Sequence, residues 1–284
     1  MKAAAFDYVK PKALSDALSL LEEGGDDARL IAGGQTLLAT LNMRLSEPSI
    51  LIDITDVAEL KGISVVGDKL RIGALVTHTE IEDSDLVAKH APLLKAAAPH
   101  IAHRTIRNLG TWGGSLAYGD PAAEWPACSL TLQATMVIHG PSGERKISAK
   151  DFFIDLYTTS LEPDEILVAT EIPLATANQV FYFHELARRH GDYAVAGLAA
   201  VAEKQGSVLN NCVFTFFSVS STPVMAVAAQ DLVNGQVMND QVIAKAVEAA
   251  REEIDAIADI TNSAAAKTHL IGVLLERGLK HLVA

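Results

Sequence analysis

Two glycine pairs flanked by hydroxyl and amide side chains are the segments of this sequence best suited to chemistry. The first lies in Ala32-Gly33-Gly34-Gln35-Thr36, and the second in Thr111-Trp112-Gly113-Gly114-Ser115. Glycine permits positive φ and close approach of the backbone to a ligand, and successive N–H groups in such a turn form a concave site for anions. Hydroxyls donate hydrogen bonds to phosphate oxygens. Together the segments predict one extended diphosphate ligand held from both sides, although for either pair alone a tight turn is the commoner explanation.

Polar and aromatic residues beyond the second pair could contact the rest of such a ligand. Asp120 and Glu124 follow it closely, and Pro121 suits the first turn of a helix behind Asp120. Tyr193 follows a Gly-Asp turn. An aromatic ring there either stacks on a planar cofactor or lies half buried in a strand, and the residues alone leave both alternatives open.

Motifs of other catalytic classes are incomplete. The dinucleotide fingerprint G-x-G-x-x-G is absent, and Gly62 to Gly67 has Asp68 where a P-loop needs lysine. The segment around Ser115 lacks the final glycine of the hydrolase motif G-x-S-x-G. The pair His184-Glu185 lacks a second histidine at the spacing that zinc proteases need. The sequence therefore indicates no catalytic side chain and no metal site.

Composition limits the possible partners and the cellular setting. The chain of 284 residues has a net charge of −12, which argues against a nucleic-acid surface, and 49% hydrophobic residues, which suffice for a large core. It has no apolar run of membrane-spanning length and no signal-peptide core, so we expect a cytoplasmic protein. With only Cys128 and Cys212, this chain alone cannot hold an iron–sulfur cluster, and electron transfer would need an organic cofactor.

Periodicity predicts a mixture of helices and strands. Residues 1–55 are interpreted as a βαβ unit with the first glycine pair at its first β–α turn, and residues 173–178 as a domain boundary. Residues 194–204 are apolar and ambiguous. Predicted strands cover 3–8, 29–32, 50–54, 166–172, 180–185 and 211–220, with hairpins at 63–72 and 135–148. Predicted helices cover 13–22, 37–45, 91–102, 121–132, 241–254 and 264–283.

Four stretches resemble the FAD-binding medium subunit of molybdenum hydroxylases, a family that includes carbon monoxide dehydrogenase, quinoline oxidoreductase and xanthine dehydrogenase. They are Ala32–Leu45, Thr111–Ala127, Leu161–Pro173 and Ala187–Gly197, and the resemblance covers nearly the whole chain. It implies an α+β fold with a PCMH-type FAD-binding domain at 1–175, in subdomains at about 1–55 and 56–175. A C-terminal flavoprotein domain with a small antiparallel sheet and helices would occupy 176–284.

The resemblance also implies a set of FAD contacts. Tyr193 would cover one flavin face, Leu167 would reach the cofactor through its main chain, and Trp112 would contribute backbone. Departures from the family pattern are Trp112, Tyr118, Gly119 and Thr36, and a basic residue found in some relatives is here at best His184. The implied FAD-binding residues are Ala32, Gly33, Gly34, Gln35, Thr36, Thr111, Trp112, Gly113, Gly114, Ser115, Asp120, Glu124, Leu167 and Tyr193.

The implied function is electron transfer within a complex. A large partner subunit would carry the molybdenum cofactor, and a small partner subunit would carry 2Fe–2S clusters. This chain would bind the FAD that reduces an external acceptor. Two such heterotrimers would associate as a dimer. A self-contained flavin oxidoreductase with its own substrate pocket is the first alternative, and a hydrolase using Ser115 is the second. The absorption spectrum of a bound flavin would separate the hydrolase from the two flavoprotein hypotheses. Co-purification with two further chains would separate the complex subunit from the self-contained oxidoreductase.

Overall fold

The computed structural model describes residues 2–284, and its first sheet unit spans residues 7–53. A central strand pairs in parallel with a strand on each side, in the order β1-β3-β2. The glycine pair follows β2, so the expectation that it occupies the first β–α turn is wrong: it occupies the second. The elements are β1 (Asp7–Val9), α1 (Leu14–Gly24), β2 (Ala28–Ile31), α2 (Leu37–Asn42) and β3 (Ile50–Asp53).

The second sheet unit spans residues 63–173 and is built on an antiparallel sheet of order β4-β5-β10-β6-β7. A bulge interrupts β10 between Leu167 and Ala169. The elements are β4 (Ile63–Val66), β5 (Lys69–Gly73), α3 (His78–Asp83), α4 (Asp85–His90), α5 (Pro92–Ala97), α6 (Arg104–Arg107), α7 (Trp112–Tyr118), α8 (Glu124–Thr131), β6 (Thr135–Gly140), β7 (Gly143–Ser148), α9 (Ala149–Phe152), β8 (Phe153–Asp155), β9 (Thr158–Thr159) and β10 (Ile166–Pro173).

The third sheet unit spans residues 179–283 and has an antiparallel sheet of order β11-β12-β13-β14, with a further strand paired to β13. The long C-terminal helix packs across this sheet and buries Leu274, Leu275 and Leu279 in its core. The elements are β11 (Gln179–Ala187), β12 (Ala194–Gln205), β13 (Val208–Phe217), β14 (Val224–Met225), α10 (Val227–Val233), β15 (Gln236–Val237), α11 (Asp240–Glu253) and α12 (Ala264–Val283).

The second and third sheet units share one hydrophobic core. Phe183 and Phe217 of the third unit belong to the same buried cluster as Trp112 and Trp125 of the second. The rings of Phe183 and Phe217 stack with centroids 5.7 Å apart, and those of the two tryptophans lie 5.1 Å apart. The two units therefore pack against each other through one shared buried cluster.

Local structure differs from the sequence expectation at several places. The strand expected at 3–8 begins only at Asp7, and the helix expected at 91–102 ends as α5 at Ala97. Residues 194–204, which were ambiguous, form the central strand β12, whose burial on both faces removes the alternation that marks a half-exposed strand. The helix expected at 121–132 begins only at Glu124. Helix α7 is absent from the sequence prediction because its glycine pair indicates a loop.

No helix within residues 2–284 combines the length and the apolar character needed to cross a lipid bilayer.

Candidate cofactor site

The first glycine segment forms a cradle of free N–H groups between β2 and α2. Gly34 has φ +69°, which favours glycine. The Gln35 side chain donates to the Gly33 carbonyl at 3.0 Å and closes the turn. Within residues 2–284, the backbone N–H groups of residues 33–36 donate no hydrogen bond. Because unpaired N–H groups are costly unless solvent or a ligand accepts from them, this cradle suits an anion.

The second glycine segment is the N-terminus of α7 and not a left-handed turn. Thr111 caps the helix, and its hydroxyl accepts from the Gly114 N–H at 3.2 Å. The N–H groups of Trp112 and Gly113 donate to the carbonyls of Val76 and Ala74, both at 2.8 Å. The expected nest of successive free N–H groups is therefore wrong here, because the protein itself uses them.

Close packing explains why Gly113 lacks a side chain. A Cβ on Gly113 would lie 2.4 Å from the Ala74 Cβ, which is too close for a real contact. Ala74 is itself held by a hydrogen bond from its N–H to the Val168 carbonyl, at the bulge of β10 beside Leu167. Leu167 is buried on that strand. The bulge thus positions α7 through Ala74, against which Gly113 packs. On the side of α7 that faces away from this contact, Gly114 is exposed and Ser115 is half-buried.

The structure brings the two glycine segments together. A Cβ on Gly33 would lie 1.9 Å from the Leu109 carbonyl oxygen, and a Cβ on Gly114 would lie 3.9 Å from the Ala32 Cβ. Only glycine at position 33 allows this approach of the two backbones. The two segments therefore line one continuous surface, as expected for a single extended ligand.

Trp112 does not offer its ring to a ligand. The side chain is fully buried, and its indole N–H donates to the Thr170 hydroxyl at 2.9 Å. The ring already fills the core of the second sheet unit and is not available to a planar ligand, which leaves the main chain of Trp112 as the part that can reach one. The residue contributes by anchoring α7.

Acidic and tyrosine side chains surround the far end of the site. Asp120 accepts from the Ala122 N–H at 2.9 Å, and burial raises the pKa of its carboxyl. Burial, reinforced by the charge of Glu185, raises the pKa of Glu124 to about 8. Partial burial, with the charges of Asp120 and Glu124, raises the pKa of Tyr193 to about 12. Each of these shifts is toward the neutral form of the group.

Tyr193 lies in the loop between β11 and β12 and not within a strand. It is 63% exposed, so it is not a core residue of the third sheet unit. Its loop contains Asp192, whose carboxylate contacts Arg188 at 3.2 Å and Arg189 at 3.5 Å. An exposed aromatic ring of this kind can stack on a planar ligand.

Three residues near this end were not predicted as site residues. Tyr157 lies at the turn between β8 and β9 with φ +53°, and its ring lies 5.2 Å from that of Tyr118. Glu185 is buried on β11, two residues after buried Phe183 on the same strand face. The sequence signal for Glu185 was a glutamate at an inward-facing position of an otherwise apolar strand face. No comparable signal marks Tyr118 or Tyr157.

No arrangement for hydrolysis is present in the described part of the chain. The Ser115 hydroxyl makes no hydrogen bond within residues 2–284. Nearby His78 accepts from the Trp125 indole at 2.9 Å, and burial, together with the charge of Arg107, lowers its pKa to about 3. His184, the expected stand-in for a basic residue, has its pKa lowered chiefly by burial and is therefore a poor cation.

The fold and the site together define a protein that binds a nucleotide-type cofactor across two sheet units. Comparison with known families identifies the cofactor. The model of the FAD binding domain in molybdopterin dehydrogenase matches residues 4–175, and that of the CO dehydrogenase flavoprotein C-terminal domain matches residues 181–282.

Relatives of known activity align over nearly their full length. The 6-hydroxypseudooxynicotine dehydrogenase complex subunit alpha of Paenarthrobacter nicotinovorans is 37% identical over 98% of this chain and 95% of its own. Carbon monoxide dehydrogenase of Hydrogenophaga pseudoflava superposes with a TM-score of 0.97 at 34% identity, covering 99% and 98% of the two chains. Quinoline 2-oxidoreductase of Pseudomonas putida 86 superposes with a TM-score of 0.94 at 38% identity, covering 100% of this chain and 98% of the other.

The chain belongs to the FAD-binding medium subunits of the molybdenum hydroxylase family. It is a flavoprotein subunit of an oxidoreductase, and in its relatives the molybdenum and iron–sulfur cofactors belong to other subunits.

Proposed function

We propose that this chain collects electrons from iron–sulfur clusters of a small partner subunit and delivers them to an external acceptor. The observation that carries the proposal is the cradle of free N–H groups at residues 33–36, which follows Ala32 at its contact with Gly114. The donor set fits a diphosphate, and the exposed Tyr193 ring at the other end fits a planar isoalloxazine.

Each part of the chain has a separate task toward FAD. Residues Ala32 to Thr36 hold the diphosphate through N–H groups, with the hydroxyls of Thr36 and Ser115 as further donors. Thr111, Trp112 and Gly113 position Gly114 against Ala32. Asp120 and Glu124 face the ribityl or ring part, Leu167 contributes main chain beside the β10 bulge, and Tyr193 covers one ring face. The list of proposed contacts is thus the one expected from the sequence, with packing roles for Trp112 and Gly113.

When bound, FAD supplies the chemistry of taking up two electrons and passing them on. The protein side chains need only bind, orient and shield it. We propose that oxidation of the organic substrate takes place on a large partner subunit, that two copies of a heterotrimer associate, and that the complex works in the cytoplasm. Two buried free cysteines, which need no oxidising compartment, support the last point.

We also propose that the FAD-binding domain comprises residues 1–175, with subdomains at about 1–55 and 56–175, and that the C-terminal domain comprises 176–284. The limits of the two matching family models and the separate sheets support these boundaries.

Purification of the native complex tests the proposed electron path. We expect this chain to co-purify with two further chains, with molybdenum and iron present in the preparation. Rapid mixing with an oxidisable substrate should reduce iron–sulfur clusters and flavin together. A chain that purifies alone, with flavin reduced directly by an organic substrate, would contradict the proposal and favour a self-contained flavin oxidoreductase.

A further inference from the structure

Ser218 connects the second and third sheet units at the far end of the cofactor site. It directly follows β13, its backbone N–H donates to the Pro121 carbonyl at 2.8 Å, and its hydroxyl donates to the Ala194 carbonyl at 2.5 Å. Pro121 directly follows Asp120, and Ala194 directly follows Tyr193. One residue therefore joins the main chains beside two of the proposed FAD contacts, one from each unit.

The backbone of Ser218 is held in a conformation that few residues other than glycine adopt. Its φ is +61°, in the left-handed region. The residue is also buried, so its polar groups depend on partners within the protein. Backbone of this kind persists only where surrounding contacts over-determine it, and it is concentrated at functional sites. The turn at Ser218 is therefore maintained by its hydrogen bonds rather than by local preference.

Lys267 of α12 binds the remaining polar group of Ser218. Its ammonium donates to the Ser218 carbonyl at 2.7 Å and contacts the Asp259 carboxylate at 2.9 Å. Lys267 is buried, and lysine is almost never buried unless it is paired. The hydrogen bond from Lys267 holds the pKa of Asp259 well below its usual range. The N–H, the hydroxyl and the carbonyl of Ser218 thus each have a partner, and the carbonyl is bound by a buried charged group.

We propose that Ser218, held in place by Lys267, is a positioning residue for the flavin ring. It fixes the Tyr193 loop (residues 188–193, between β11 and β12) relative to the Asp120 segment (residues 119–123, between α7 and α8). The fixing of the two segments stands on the hydrogen bonds of this chain alone. The effect on the ring rests on the proposed function, which places the flavin beside Asp120 and Tyr193. Ser218 acts through its neighbours and needs no contact with the ring.

Other contacts of the Tyr193 loop constrain it less. The Asp192 carboxylate contacts two arginines of its own loop, which does not tie the loop to the second sheet unit. The rings of His103 and His190 do cross between the units, with centroids 5.8 Å apart, but both residues are exposed. The bond from Ser218 to Ala194, in contrast, joins two buried residues, where a hydrogen bond is expensive to break.

Amide hydrogen exchange of the FAD-depleted complex tests the fixing of the loop without flavin. Ser218→Gly removes the hydroxyl, and glycine adopts positive φ readily, so the fold should persist. Exchange should become several-fold faster in peptides spanning residues 188–196 and stay unchanged at 119–123, because the N–H bond to Pro121 remains. Ser218→Ala keeps a Cβ at positive φ and should give the same rise with a lower Tm. Unchanged exchange in both variants, or a rise confined to Ser218→Gly, would refute the role of the hydroxyl.

A double-mutant cycle in FAD affinity tests whether Ser218 acts through Tyr193. Ser218→Gly should weaken FAD binding by up to about tenfold, which is the most that loss of the tyrosine stacking accounts for. Because both changes remove the same contact, Ser218→Gly combined with Tyr193→Leu should bind FAD within about twofold of Tyr193→Leu alone. Fluorescence titration measures the four affinities. Wild-type affinity in Ser218→Gly, or losses that multiply in the double variant, would overturn the effect on the ring.

Asn239→Ala is the matched control for loss of stability in the third sheet unit. Asn239 caps α11, where its side-chain oxygen accepts from two backbone N–H groups at 3.0 Å. It follows β15, which pairs with the start of β13, at the opposite end of that strand from Ser218. Loss of this cap should lower Tm while exchange at 188–196 and FAD affinity stay as in wild type.

The same changes in Asn239→Ala as in Ser218→Gly would assign them to general destabilisation and overturn the proposal. Absence of bound FAD from the native complex would instead refute the proposed function. The exchange measurement would then still decide whether Ser218 fixes the Tyr193 loop.

Discussion

Gly33→Ala should separate cofactor binding from folding. The added Cβ would lie 1.9 Å from the Leu109 carbonyl oxygen, whereas real Cβ contacts essentially never fall below 3.0 Å. The two glycine segments must therefore move apart by at least about 1 Å. Overpacking of this kind costs about 1–3 kcal/mol of stability, which corresponds to roughly 2–4 °C in Tm for each kcal/mol.

The same movement displaces the cradle from the diphosphate. A hydrogen bond to a charged group is worth about 1.5–3 kcal/mol, so loss of two N–H contacts removes about 3–6 kcal/mol. At about 1.4 kcal/mol per tenfold change, FAD affinity should fall by about 10²–10⁴. The assay is fluorescence titration of FAD into the FAD-depleted complex, together with a thermal melt of the same preparation.

Gly24→Ala is the matched control for crowding in the same sheet unit. Its Cβ would lie 2.6 Å from the Ala28 Cβ, at the start of β2, whereas the cradle follows the end of β2. We expect a similar loss of Tm with nearly unchanged FAD affinity. If Gly33→Ala lowers Tm as Gly24→Ala does but binds FAD within threefold of wild type, the cradle is only a tight turn.

Two further predictions follow from the same site. Tyr193→Leu should leave Tm nearly unchanged because the side chain is 63% exposed, while FAD affinity falls by up to about tenfold through loss of about 0.5–1.5 kcal/mol of stacking. Rapid-reaction traces should show an altered rate of flavin reoxidation and an unchanged rate of molybdenum reduction. A native reoxidation rate would exclude the stacking role. The pKa of His78 is about 3 in the folded protein, below its unfolded value of about 6.5. The contribution of this residue to the free energy of unfolding is therefore fully present above pH 6.5. It falls as the pH drops toward 3, by up to about 1.4 kcal/mol per pH unit. Urea unfolding of wild type and His78→Asn across this window measures it, and equal slopes would contradict the burial of a neutral His78.

Elements with strong local signals were predictable from the sequence. The hairpin expected at 63–72 appears as β4 and β5. The start of α3 likewise has a local cause, since the Thr77 hydroxyl accepts from the Glu80 N–H at 3.2 Å. The first glycine segment follows a short strand and precedes a helix. In each case the determining interactions lie within a few residues, which is the range that sequence pattern reports.

Long-range packing determines the features that the sequence did not show. Gly113 of α7 serves close contact with Ala74, which is 39 residues earlier in sequence, and glycine identity alone does not distinguish a close contact from a left-handed turn. Burial of β12 on both faces comes from neighbours in the fold.

FAD content of the native complex tests the central claim most directly. The complex is denatured in acid, the protein is removed, and the released flavin is chromatographed beside FAD and FMN and quantified against this chain. We expect one FAD for each copy of the chain, released without covalent attachment, because the cradle proposed at residues 33–36 suits the diphosphate of a dinucleotide. Release of FMN, or of no flavin from the intact complex, would contradict the claim.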